Sequence, residues 1–188
     1  MSMSFVTSEN TPAIWRGPMA SGAMQQLLTQ TNWGELDYLI VDMPPGTGDI
    51  QLTLAQRVPL AGAVIVTTPQ DVALLDAKKG IEMFRKVGVP VLGVIENMST
   101  HICSNCGHEE PVFGTGGGEA VAASYETELL ARLPLAMELR LASDEGNPMV
   151  TSSPDDEISQ SFLMTARRIA ELAGAQQRKA PVISITDD

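Results

Sequence analysis

Both cysteines of the chain, Cys103 and Cys106, stand three positions apart in the stretch THICSNCGHEEP, and both histidines, His101 and His108, flank them. Two thiolates at that spacing can approach one centre, and Gly107 lets the backbone turn its N–H groups toward sulfur. That is half of a metal knuckle. A structural zinc or an iron–sulfur cluster takes four ligands, and two completions are open. His101 and His108 could close a cramped tetrahedral site within one chain, or two chains could each contribute Cys103 and Cys106 across a symmetry axis. A pair of free or redox-labile thiols is the plainest alternative. Thioredoxin-like exchange fits less well, because it favours a first cysteine at a helix start and the flanking residues carry no helical periodicity.

A second set of residues points to phosphate chemistry. Asp42 follows the apolar run Tyr38 to Val41 in LDYLIVDMPPGTGD. At the carboxyl end of a parallel strand such a carboxylate faces the ligand crevice, where it could hold the magnesium ion of a bound nucleotide in a Walker-B manner. An ordinary strand-end aspartate capping a turn competes with that reading. Pro44 and Pro45 stiffen the exit, and Gly46 and Gly48 permit close backbone approach, so a Gly46 N–H could meet a terminal phosphate in a loop that swings when the phosphate leaves. Asp49 either orients a water or, with more weight, caps a helix starting at Ile50. Thr67 and Thr68 end another apolar run before Pro69, with Asp71 as the expected cap of the next helix. Asn97, in VIENM, can both donate to and accept from an adenine edge, although a turn asparagine reads the same way.

These residues need elements to position them. Continuous apolar runs at 38–41, at 62–68 and in VPVLGVIENM read as strands buried on both faces, with a shorter one ending at Leu133 to Leu135. Between them, helices are expected at 19–30, 49–58, 71 to Gly88 and near 117–125, and a last helix runs from a cap at Asp155 or Asp156 to a stop at Gly174. The alternation predicts an α/β fold with a parallel sheet covered by helices. With 188 residues, 44% of them hydrophobic, the chain can bury one sizeable core, placed at 1–174 with a flexible tail at 175–188. The formal net charge of -11 opposes nucleic-acid backbones and anionic membranes as partners. No apolar stretch has the length of a membrane span and the N-terminus has no secretory pattern, so the cytoplasm is expected.

Taken together, WRGPM, LDYLIVDMPPGTGDIQLTLAQ, GAVIVTTPQDVALLDAKKGIEMF, VPVLGVIENMS, CSNCG, FGTGGG and LARLPL resemble the Mrp-type, ApbC-like family of iron–sulfur cluster carriers, which are deviant-Walker P-loop NTPases. The resemblance implies a P-loop NTPase-like three-layer fold of the MinD/ParA/NifH kind with a mostly parallel sheet. It also implies a homodimer that holds a [4Fe-4S] cluster on Cys103 and Cys106 of two subunits and passes it to apoproteins. ATP and magnesium would serve at Asp42, at the switch-like loop from Pro44 to Asp49 that includes Gly46, and at Asn97 for the base.

One departure shapes the expectation. No G-x-x-x-x-G-K-[ST] pattern occurs, so the chain reads as a C-terminal portion of a family member, an incomplete fold of doubtful autonomous ATPase activity. Its strands at 38–42 and 62–68 would then need rearrangement, self-association or a P-loop-containing partner chain to cover their edges. The competing functions are a MinD/ParA-like partitioning ATPase and a zinc-stabilised noncatalytic interaction domain. Against the first stand Cys103 and Cys106 and the lack of a strongly basic amphipathic segment at the C-terminus.

Overall fold

The computed structural model describes residue 2, residues 17–43 and residues 49–177. The chain divides into two compact units, residues 1–59 and 60–188.

Among the described residues the first unit contributes two helices, α1 (Gly17–Gln30) and α2 (Asp49–Arg57), which pack on each other. After α1 the chain folds back on the helix end. Thr31 Oγ1 donates to the Leu27 carbonyl at 2.6 Å and Trp33 Nε1 to the Leu28 carbonyl at 2.9 Å, so side chains satisfy carbonyls that the last turn leaves open. The expected strand at 38–41 does not form. That segment carries no ladder pairing, and Ile40 is 81% exposed. Apolar composition alone does not make a strand, which also needs a neighbour to take its N–H and C=O groups.

Among the described residues the second unit is built on four strands, β1 (Ala63–Thr67), β2 (Val91–Ile102), β3 (Glu109–Glu110) and β4 (Leu129–Leu135). β2 is central: it pairs in parallel with β1 and β4 and antiparallel with β3. This is the mostly parallel α/β sheet that the continuous apolar runs predict. Among the described residues five helices accompany it: α3 (Asp71–Lys86), α4 (Gly117–Ser124), α5 (Met137–Asp144), α6 (Met149–Ser152) and α7 (Glu157–Gln177). Ala77, Ile81 and Phe84 recur at helical spacing along α3 and are buried. On the sheet, Val94 is fully buried, as is Ile81 on α3; burying each side chain contributes about 1.5–3 kcal/mol.

Close contact replaces bulk where β2 meets β4. A Cβ at Gly93 would stand 2.5 Å from Leu130 Cγ and 2.7 Å from the Glu128 carbonyl oxygen, so only glycine fits there. α3 ends near its expected stop: Gly88 takes φ +73°, and the Val89 N–H reaches back to the Phe84 carbonyl at 2.9 Å. Two sequence expectations shift. Asp71 lies inside the first turn of α3, the cap position being Gln70, so its charge faces the helix dipole instead of bonding as a cap. α7 does start where its acidic cap was expected, with Asp156 Oδ1 accepting the Ile158 N–H at 2.8 Å. It then runs through Gly174 to Gln177, because a glycine costs a helix interior only modestly. Among the described residues no helix is long and apolar enough to cross a membrane.

Candidate metal centre and strand-end cluster

The cysteine pair sits at the tip of a hairpin built by β2 itself. The strand does not end at Glu96 and Asn97 as the sequence suggests but continues to Ile102, pairing His101 with Glu110 and Ile102 with Glu109 across the turn. The Cys103 N–H donates to the His108 carbonyl at 3.0 Å and the Gly107 N–H to the Cys103 carbonyl at 2.8 Å, closing the loop. Gly107 adopts φ +71°, a conformation that L side chains resist. The turn then presents amides to sulfur. The Asn105 N–H first, then the Cys106 N–H and the Cys106 thiol, hold the Cys103 thiol below its ordinary range. Cys103 is half-buried and Cys106 exposed, and both are free. A thiolate supported by backbone N–H groups is the form in which cysteine binds metal.

The histidines do not complete a site within this chain. His101 Nδ1 lies 3.3 Å from the Leu135 carbonyl on β4, and among the described residues no group of three or more His, Cys, Asp or Glu side chains converges as a metal site. Two free thiols at this spacing have the chemistry to supply part of the ligand set of an iron–sulfur cluster or a zinc ion.

The phosphate-type candidates are divided between the two units. Asp42 is exposed and lies in the first unit. Asp49 is the first residue of α2, and Gly46 lies outside the described residues. In the second unit Asn97 is half-buried within β2, paired with Leu133 and not at a strand end.

Beside Asn97 lies a residue whose role the sequence did not disclose. Glu96 is 1% exposed, and its Oε2 accepts the Gly118 N–H at 2.6 Å. Its other oxygen faces Arg132 Nε at 3.7 Å, and Arg132 in turn bonds Glu119 at 2.5 Å. The glycine-rich turn before α4 is explained by this contact. A Cβ at Gly118 would stand 2.9 Å from Glu96 Cβ, and one at Gly117 would stand 2.9 Å from the Pro69 carbonyl oxygen. The only signal in the sequence was a carboxylate directly after a run that is apolar from Val89 to Ile95, except for Gly93.

A central strand flanked in parallel by two others, with helices between them, places the chain in the α/β class of P-loop NTPase-like folds. The chain belongs to the family described as NUBPL iron-transfer P-loop NTPase, whose model matches residues 1–170. That match starts at the first residue and covers nearly the whole chain, which overturns the reading of this sequence as a C-terminal portion of a family member that lacks the P-loop region. An iron–sulfur cluster carrier protein of Pseudomonas fragi is 67% identical over 159 residues, 85% of this chain and 55% of that protein. The chain thus spans about half the length of this curated relative. Among solved structures, a nucleotide-binding protein of Archaeoglobus fulgidus in complex with ADP matches with TM-score 0.66 and 34% identity, over 84% of this chain and 59% of that one. The cell division ATPase MinD of Pyrococcus furiosus shares the fold at TM-score 0.56 and 23% identity, over 81% of this chain and 57% of that one.

Proposed function

We propose that this chain carries an iron–sulfur cluster as cargo, with Cys103 and Cys106 as its half of the ligand set and the same two residues of a second copy as the other half. The observation that supports this is the hairpin itself: two adjacent thiols, one of them backed by N–H groups, with no third ligand converging among the described residues. Four thiolates satisfy a [4Fe-4S] cluster, and a two-fold axis supplies the missing two.

Delivery to an apoprotein proceeds as ligand exchange. An acceptor thiolate forms a new Fe–S bond while an Fe–Sγ bond to Cys103 or Cys106 breaks, without net oxidation or reduction. The exposed Cys106 gives an incoming thiolate access, and the N–H groups on Cys103 stabilise the anion left behind. Thiolate ligands of this kind persist in a reducing compartment, which supports a cytoplasmic setting.

ATP and magnesium belong to the same reading through family membership. Asp42 is the carboxylate we assign to the magnesium shell, with Gly46 and Asp49 in the loop that senses phosphate and Asn97 at the base. Bound magnesium would offset phosphate charge; the contribution of Asp42 there is a single exposed carboxylate.

Oxygen-free reconstitution with ferrous iron and sulfide tests the proposal. The expected result is about two irons and two sulfides per chain, in a dimer that passes its cluster to an apo-ferredoxin. Stoichiometric zinc in a monomer would overturn it.

A further inference from the structure

We infer that Glu96 is the positioning residue of the cysteine hairpin: by holding Gly118 it fixes the bend in β2 from which Cys103 and Cys106 are presented. The inference rests on the carrier reading for its functional meaning, but its structural content stands on β2 alone.

Glu96 and Arg132 are directly paired across β2 and β4, as are Asn97 and Leu133; the next pair is His101 with Leu135. β2 therefore takes four steps where β4 takes two. The surplus is a bulge, and within it Met98 adopts φ +54°, a left-handed conformation strained for a side chain with a Cβ. A bulge re-aims the strand beyond it, and the strand beyond Met98 leads directly into the cysteine loop.

Both sides of the bulge are pinned by side chains. On the far side Ser99 Oγ donates to the Leu133 carbonyl at 3.1 Å, and the His101 ring meets Leu135. On the near side the pin is Glu96, buried, bonded to the Gly118 N–H at the start of α4 and held against Arg132. A buried carboxylate is costly unless such partners compensate it, and an alkyl side chain would fill the same apolar strand without that cost. What the carboxylate adds is a directional tie between β2 and α4. Release of that tie lets the strained bulge relax toward regular pairing, which slides the segment carrying Cys103 relative to β4.

The test uses the full 188-residue chain, metal-free and reduced. Amide exchange is read at Gly118, Cys103 and Gly107, and iodoacetamide alkylation at Cys103 and Cys106. Glu96→Ala leaves a buried N–H without its acceptor, and exchange at all three amides should rise on the order of tenfold, with a matching change in the Cys103 alkylation rate. Glu96→Gln keeps an acceptor for Gly118 and should restore both readouts to within about twofold. Gly118→Ala pushes the same pair apart from the opposite side and should reproduce the Glu96→Ala result if that variant fails to fold. Loss of protection at Gly118 with the Cys103 and Gly107 amides and the thiol rates unchanged would overturn the inference, leaving Glu96 a local packing residue. Iron loading of the same proteins is a separate arm: a wild-type chain that takes no iron removes the carrier reading, while the amide and thiol results still decide the role of Glu96.

Discussion

His101 Nδ1 stands 3.3 Å from the carbonyl oxygen of Leu135, so this ring, two residues before Cys103, is engaged with the β4 backbone. It belongs to the frame that holds the loop. Replacing His101 with Ala should therefore leave the iron and sulfide content of reconstituted protein unchanged and cost about 1 kcal/mol of stability through the lost hydrogen bond. Cys103→Ser or Cys106→Ser should abolish the cluster while the fold persists. Metal analysis beside thermal unfolding separates these outcomes, and a His101→Ala protein as empty as the cysteine variants would make the ring a ligand after all.

The two glycines that face β1 and β4 predict opposite signs. At Gly93 an added Cβ meets a backbone oxygen at 2.7 Å, which cannot swing aside as a side chain can. Gly93→Ala should destabilise by about 2–3 kcal/mol through overpacking. Gly80 is inside α3, where a Cβ would lie 3.7 Å from Ile65 Cδ1, an ordinary contact. Gly80→Ala should stabilise by roughly 0.5–1 kcal/mol, since alanine is the better helix former. Urea denaturation of the two variants checks the pair, and equal signs would contradict the packing described.

The sheet was legible because β1 and the first part of β2 are short, largely apolar runs, although β1 is not buried on both faces as its composition suggests, Val66 being 60% exposed; the cysteine loop was legible because its chemistry is local. Tyr38 to Val41 misled for the same reason that β1 succeeded: composition reports apolarity, whereas a strand also needs a neighbour for its backbone. The extension of β2 to Ile102 was hidden by its polar residues Glu96, Asn97, Ser99 and His101. Glu96, Ser99 and His101 make contacts with Gly118, Leu133 and Leu135, partners distant in sequence, and no local pattern announces a long-range hydrogen bond. The glycine-rich turn was readable as glycine-rich, but its reason, the close approach of Glu96 and Pro69, is tertiary.

Acid stability should register the pair formed by Glu128 and Arg168. Arg168 Nη2 lies 2.8 Å from Glu128 Oε2, and the hydrogen bonds from Arg168 hold the Glu128 carboxyl below the usual carboxylate range. A carboxylate whose folded value is depressed contributes stability that is complete above its unfolded value, about 4.3, and is lost as pH falls through the lower folded value. Both side chains are substantially exposed, so the contribution is about 0.5–1 kcal/mol. Glu128→Gln should lower stability at pH 7 by that amount and bring the variant and the parent together near pH 2. A constant difference between them across that span would remove ionisation as the cause.

The same reasoning applies to the cysteine loop through reactivity, because the thiolate is the nucleophile. In the reduced, metal-free chain the alkylation rate of Cys103 should rise with pH around a midpoint below the usual thiol range, since the Asn105 and Cys106 N–H groups and then the Cys106 thiol favour its anion. The order of these causes predicts the order of two variants. Cys106→Ala removes only the thiol, the smallest of the three, and should move the midpoint up slightly. Gly107→Ala strains the residue at φ +71° by about 1–2 kcal/mol; the turn that aims both N–H groups then opens, and the midpoint should rise further. Mass spectrometry of iodoacetamide adducts over a pH series resolves each cysteine. A larger displacement from Cys106→Ala than from Gly107→Ala would mean that the neighbouring thiol, and not the backbone, governs Cys103.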